Sequence, residues 1–375
     1  MVEAVVGNAM KTLAEALADQ TREAELYRPL DRNRVQCYAC GHACPITPGF
    51  AGVCKVRFNR GGKLYAPWGY VNAAYCDPIE KKPFFHAVPG TRAFSFGMLG
   101  CDLHCGYCQN WVSSQALRDF RSALDFRRTT PADLVAAAVA QGAVSLVSTY
   151  NEPLITAEWA VAVFREARAA GLLTGFVSNG NATPEVLEYL RPWVDLYKVD
   201  LKSFDDRRYH ELGGRIGPIL DSIRRIHDLG FWLEIVTLVV PGFNDSTEEL
   251  RSTAEFIAGV SPDIPWHVTA FHKDYKMQGP ENTPAATLGR AAEIGRAAGL
   301  RYVYAGNLPG RLGELENTIC PRCGTAVVER HGFRVLRHRL CGGTCANCGE
   351  RIPGIWSALP RHREDGVSLL HARCG

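Results

Sequence analysis

Twelve of the fourteen cysteines fall into three groups, and none occurs from residue 109 to residue 319. Cys37, Cys40, Cys44 and Cys54 form the first group, Cys101, Cys105 and Cys108 the second, and Cys320, Cys323, Cys341, Cys345 and Cys348 the third; Cys76 and Cys374 stand alone. A disulfide scaffold needs a far denser and shorter chain, and 375 residues bury a core without such staples. The cysteines are therefore read as ligands or reactive thiols, placed on either side of a long body that carries none.

The amino terminus, MVEAVVGNAMKTLAEALADQTREAEL, has acidic residues where an export signal has a basic flank, and it reads as an amphipathic helix. No run approaches the ~18 apolar residues of a membrane span. Both observations point to a cytoplasmic protein with reduced thiols. A net charge of +3 gives no reason to expect a nucleic-acid partner.

In the body, apolar β-rich runs alternate with helical patterns. The runs are TRAFSFGML (91–99), AVSLVSTY (143–150), LLTGFVSN (172–179), LYKVDLKS (196–203), FWLEIVTLVV (231–240), PWHVTAFH (265–272) and RYVYAG (301–306). Between them, stretches such as AEWAVAVFREARAAG repeat apolar residues at three and four and end at Gly, as helices do. This alternation predicts parallel β/α units in a closed or partly closed barrel, an α/β fold whose function collects where the strands end.

The first run leads into GCDLHCGYCQNW, giving Cys101-x3-Cys105-x2-Cys108. Three thiolates can hold one face of a metal or cluster and leave a coordination position open. The competing reading is three legs of a structural zinc site completed elsewhere. The second run ends in Asn151, Glu152 and Pro153, which alone fits a capped helix start. The third ends in Ser178, Asn179 and Gly180, a turn signal. The fourth ends in Asp200 and Lys202, whose i, i+2 spacing puts both side chains on one side of a strand. The sixth ends at His272.

The cysteine spacing, with Tyr107 just before the third ligand, resembles the radical S-adenosylmethionine (SAM) superfamily. That resemblance implies a partial (β/α)6 barrel and a 4Fe-4S cluster on Cys101, Cys105 and Cys108 with one iron free to chelate SAM. It also implies that Asn151, Glu152 and Pro153 stand where the superfamily holds the SAM amino group, and that Ser178 and Asn179 lie near its ribose or methionyl part. Val177 replaces an Asp of the related pattern. Asp200 and Lys202 resemble the Asp-x-Lys that binds the SAM carboxylate, and His272 lies at the same rim. An electron donor such as flavodoxin or ferredoxin follows from the same chemistry. The strings DPIEKKPFFH, CQNW, TYNEP, PWHVTAFHKDYKM and YVYAGN look like the radical SAM member of the AmmeMemoRadiSam system, related to pyruvate formate-lyase activating enzymes, over about residues 37–356. This implies Memo-like and AMMECR-like partners without identifying a substrate.

The flanking groups invite separate readings. Cys37-x2-Cys40-x3-Cys44-x9-Cys54 closes four ligands among Pro and Gly turns, which fits structural zinc, an auxiliary iron-sulfur cluster or unliganded thiols. Cys320-x2-Cys323 and Cys345-x2-Cys348 form a zinc-ribbon pattern, for zinc or for iron in the same sulfur cage. Residues 317–375 carry nine Arg, no Lys and four acidic residues, a basic surface for solvent, an acidic protein or RNA. The charged stretch Asp77–Pro83 reads as an exposed loop, or as a lid or wall beside the cluster loop. The expected organisation is an N-terminal helix (1–30), a Cys-rich module (31–90), the barrel (91–316), the ribbon-like module (317–358) and a tail (359–375). The expected activity is reductive SAM cleavage for hydrogen abstraction. The alternatives are a glycyl-radical enzyme activase and a zinc-rich RNA- or protein-binding module without catalysis.

Overall fold

The computed structural model describes residues 13–119 and 126–357. The tail 359–375, with Cys374, and the first twelve residues lie outside them. One eight-stranded sheet organises the body. Its strands are β1 (Ala73–Pro78), β2 (Arg92–Gly97), β3 (Ala143–Ser148), β4 (Leu173–Ser178), β5 (Leu196–Asp200), β6 (Trp232–Val239), β7 (Trp266–Ala270) and β8 (Val303–Gly306). They lie in chain order across the sheet, and every pair from β2 to β8 is parallel. All seven apolar runs became strands. The sheet stays open, with β1 and β8 at its edges.

Helices α1 (Pro131–Ala140), α2 (Ala157–Ala169), α3 (Pro184–Leu190), α4 (Ile216–Asp228), α5 (Thr247–Val260) and α6 (Ala285–Ala297) return the chain between parallel strands. Their starts are written locally. Thr130 and Asp133 form a capping box with Pro131 at the first turn of α1, and at α3 Thr183 caps the Val186 N–H with Pro184 at the first turn. Each helix buries one apolar stripe, such as Ile219, Ile223 and Ile226 of α4, against a sheet whose strands are buried almost throughout. No helix among the described residues is long and apolar enough to cross a membrane.

Two expectations are corrected. The N-terminal helix does not run to residue 30: it ends at Ala18, and Thr21–Glu23 pairs antiparallel with Lys63–Pro67 because tertiary pairing overrides a helical pattern. The charged stretch from Asp77 is not an exposed loop. It begins inside β1, which pairs antiparallel with β2, and Glu80 and Lys82 are buried. Glu80 accepts the Gly90 N–H and faces Arg330 at 3.6 Å; Lys82 Nζ donates to Asp77 and to the Tyr150 hydroxyl.

The two cysteine-rich modules dock through buried charges. Arg57 makes a bidentate pair with Glu158 of α2, both bonds 2.7 Å, and Glu158 also accepts the Glu25 and Leu26 N–H groups. At the far side, β9 (Thr318–Ile319), β10 (Ala326–His331) and β11 (Arg334–His338) form the ribbon sheet. Arg330 reaches from β10 to the Phe85 carbonyl and Thr318. His86 links Tyr304 of β8 to the Pro353 carbonyl, and burial pushes it down to about 4, so it stays neutral. Glu234, fully buried near the start of β6, accepts from the Phe85 and His86 N–H groups and from His267.

Candidate active site

The loop after β2 carries Cys101, Cys105 and Cys108, and all three open on a cavity of ≈ 470 Å³ above the carboxyl ends of β2 to β6. Gly100 makes the loop possible: its φ is +94°, and a Cβ there would approach Val56 to 2.8 Å. Arg118 holds the loop from beneath, donating to the Cys101 and Leu103 carbonyls and also to Val53 of the N-terminal module. Leu103 N–H faces the Cys101 sulfur at 3.4 Å, and Ser114 Oγ lies 3.2 Å from that of Cys108. Burial pushes all three thiols up, Cys105 to about 12. Three thiolates crowded into such a place call for a multivalent cation or cluster among them. The donor set fits a three-cysteine iron-sulfur site.

Facing the cysteines, Glu152 is buried at the end of β3. Its Oε1 accepts from Leu154 N–H at 3.1 Å and Ser178 Oγ at 2.7 Å, and Oε2 accepts from Asn179 N–H at 2.7 Å. One acceptor position on Oε2 has no partner in this set. Burial, with the nearby Asp102 charge, pushes the Glu152 carboxyl up to about 8. An ammonium group at Oε2 would reverse that by restoring a counter-charge.

Across the cavity, Asp200 pairs with Lys198 and lies 3.8 Å from Lys202 Nζ. Burial disfavours the Asp200 charge, but the two lysines outweigh it and hold the carboxyl below its ordinary range. Lys202 is raised in turn: burial opposes its charge, and Asp200 and the cysteine side of the cavity favour it. Tyr107 stacks edge-on against Phe243, and its buried hydroxyl has no partner.

The expected residues are thus not all in one place. Tyr107, Asn151, Glu152, Ser178, Asn179, Asp200 and Lys202 line the cavity with the cysteines. Pro153 does not; it starts a buried 3-10 turn. His272 lies beside the adjoining cavity, 2.9 Å from Gln109. Asn151 spends its side chain on structure, accepting Met98 N–H.

Several residues escaped the sequence reading. Asp102 is buried and accepts from Asn179 at 2.7 Å and Asn181 at 2.8 Å, with His42 at 3.8 Å. Lys198 shares the strand parity of Asp200 and Lys202, so the same i, i+2 rule finds it. Phe333, from the tip between β10 and β11, also lines the cavity, whereas Lys81, Lys82 and Pro83 line it as the wall reading of the Asp77–Pro83 stretch expects. In the ribbon, Cys320, Cys323, Cys345 and Cys348 bring their sulfurs within 4.8 Å of one another, a site for a metal ion.

The sequence model of the Radical SAM superfamily matches residues 97–257, from the end of β2 into α5. The chain is 35% identical over 335 residues to the uncharacterized protein MJ0808 of Methanocaldococcus jannaschii, covering 88% of this chain and 98% of the relative. It is 26% identical over 200 residues to the pyruvate formate-lyase-activating enzyme of Staphylococcus aureus, covering 49% of this chain and 78% of the relative. The crystal structure of a domain of pyruvate-formate lyase-activating enzyme from Bacteroides vulgatus matches 44% of this chain and 99% of that domain, with 20% identity and a TM-score of 0.39. With a likeness that runs the length of one relative and a superfamily match that spans the cysteine loop and the strand ends facing it, the chain belongs to the radical SAM superfamily.

Proposed function

We propose that the protein is the radical SAM member of an AmmeMemoRadiSam-type system, abstracting hydrogen from a substrate of a Memo-linked pathway. The observation that carries the chemistry is that Cys101, Cys105 and Cys108 share one cavity with Glu152, Asp200 and Lys202. When bound, a 4Fe-4S cluster supplies the electron that cleaves SAM to methionine and a 5'-deoxyadenosyl radical. The chain's own residues bind and orient. Glu152 would accept an N–H of the SAM amino group at its open Oε2 position, and Lys202 would hold the SAM carboxylate while Asp200 keeps that lysine charged and in place. Ser178 and Asn179 fix the Glu152 carboxylate through their own hydrogen bonds. Lys81, Lys82 and Phe333 wall the substrate side and limit access of water.

The ribbon sulfurs would hold zinc, a reading supported by sulfur spacings of 3.6 Å and 3.8 Å in two of their pairs. A tetrahedral ion with Zn–S bonds of about 2.3 Å separates its ligands by about 3.8 Å. Memo-like and AMMECR-like proteins and a flavodoxin or ferredoxin are the proposed partners, in the cytoplasm. The activase alternative draws on the 26% identity to a pyruvate formate-lyase-activating enzyme, whose name states that relative's own substrate. A zinc-rich binding module without catalysis does not account for two carboxylates, Glu152 and Asp200, and two lysines, Lys198 and Lys202, in one cavity with the cysteines.

The test is anaerobic reconstitution, reduction with dithionite, and measurement of 5'-deoxyadenosine, alone and with candidate substrates. The expected result is SAM cleavage by the native chain and none by Cys105→Ala. Undiminished 5'-deoxyadenosine from that variant would sink the assignment.

A further inference from the structure

We propose that Cys37, Cys40, Cys44 and Cys54 ligate a second iron-sulfur cluster, of the four-iron class, against the outer side of the Cys101 loop. The four residues are brought together by backbone, not by sequence proximity alone. Cys37 N–H donates to the Cys44 carbonyl at 3.0 Å, which sets the first and third ligands side by side on paired strands. Cys40 opens a turn closed by Ala43 N–H at 3.0 Å, with Ala43 at φ +44°. Cys54 sits in a second turn, closed by Lys55 N–H to Gly52 at 2.9 Å with Lys55 at φ +68°. Non-glycine residues in the left-handed region are costly and persist where the surroundings impose them. The second turn lies against Cys44: a Cβ on Gly52 would stand 3.5 Å from its sulfur.

Cys37, Cys40 and Cys54 are buried, and Arg57, a buried cation of the same module, is committed to Glu158 through two hydrogen bonds. Buried cysteines that ligate as thiolates need positive charge beside them, and a metal group among the sulfurs would supply it.

Spacing separates a cluster from a single ion. Among the described residues, the ribbon quartet is the set that draws three or more ligand atoms within 4.8 Å of one another. The Cys101, Cys105 and Cys108 triad is wider, as expected where each thiolate sits on its own iron. The N-terminal quartet resembles the triad in this respect and not the ribbon. It also shares a wall with the triad. Arg118 bonds to carbonyls of Val53 and Cys101 in the two loops, Asp102 faces His42, and Gly41 donates to the Asn181 carbonyl at 2.8 Å. A Cβ on Gly41 would lie 2.2 Å from Asn181 Oδ1, so the approach requires glycine.

The experiment is iron, sulfide and zinc analysis with electron paramagnetic resonance on the full chain after anaerobic reconstitution. It compares the native protein with a variant in which Cys101, Cys105 and Cys108 are all changed to Ala. The native protein should hold about eight iron, and the variant about four iron and four sulfide with a reducible cluster signal. Cys40→Ser in the native background should also lower iron from about eight to about four, which keeps the test decisive should the triple variant fail to fold. An iron-free triple variant with native circular dichroism overturns the proposal, whether its quartet then holds zinc or nothing. These outcomes are independent of SAM cleavage, which reports on the other site.

Discussion

Asn179 Nδ2 donates to Asp102 Oδ1 at 2.7 Å, tying the residue that follows the first cysteine of the catalytic triad to the end of β4. Asn181 takes the other oxygen at 2.8 Å. Asp102 thereby links the cysteine loop to the segment that leaves β4. Replacing it with Ala leaves two buried amide groups without their acceptor, a loss of about 2–4 kcal/mol. Urea unfolding of the unloaded chain should show that loss, and a change below about 0.5 kcal/mol would mean that Asp102 does not hold the loop.

Glu152 makes the fold pH-sensitive. Its carboxyl lies at about 8 in the folded chain against an ordinary 4.5, chiefly from burial and then from Asp102. The folded state therefore holds its proton more tightly than the unfolded state, and stability falls as pH rises from about 4.5 to about 8. Glu152→Gln removes this contribution, so its stability curve should be flatter by up to about 1.4 kcal/mol per pH unit across that window. Parallel curves for the two proteins would refute the assignment of the raised value to Glu152.

In the proposed SAM site the same residue has the opposite pH trend. The ionised carboxylate accepts an N–H of the SAM amino group more strongly than the protonated acid does, so affinity for SAM should rise with pH towards about 8 and level off above it. A charge-assisted bond of about 1.5–3 kcal/mol predicts a loss of about 10- to 100-fold in Glu152→Gln. Equilibrium dialysis of cluster-loaded protein measures it, and unchanged affinity would remove Glu152 from the SAM site.

Lys202→Met should weaken SAM binding by about 10-fold or more while leaving cluster content intact, because the lysine faces the cavity and its charge is sustained by Asp200. Lys198→Met should weaken it less, acting through the orientation of Asp200. Equal effects from the two variants would place the carboxylate between both lysines instead.

The pair Arg330 and Glu80 joins ribbon to barrel at the cost of burying two charges. Burial pushes Glu80 above its ordinary value and Arg330 below its own, so desolvation outweighs their attraction in both. Arg330→Met alone should destabilise by about 3–5 kcal/mol by stranding Glu80. Adding Glu80→Leu should recover much of that loss, read by thermal unfolding of single and double variants. Strict additivity would show that the pair does not couple.

Strand existence, strand order and the cysteine triad were legible because each rests on short-range signals: apolar runs of strand length, helix caps at their boundaries and ligands within eight residues. Glu152, Asp200 and Lys202 stand at the ends of apolar runs, and the resemblance to the radical SAM superfamily picked them out; the fold brings them to one cavity. Asp102 was missed even though it lies inside the triad, since a lone Asp between ligands carries no periodic signal. Lys198 was within reach of the parity rule applied to Asp200. The stretch from Asp77 misled because its charges imply solvent, whereas partners from Tyr150 and Arg330, distant in the chain, bury Glu80 and Lys82.

The amino-acid sequence alone determined the α/β alternation, the three cysteine groups and which residues stand at the strand ends. These follow from periodicity and spacing, which are local properties of a chain. Tertiary structure alone decided which buried charge answers which, from Asp102 with Asn179 and Asn181 to Arg57 with Glu158 and Arg330 with Glu80. A buried charge is stable only beside a partner, and packing across a hundred or more residues chooses that partner.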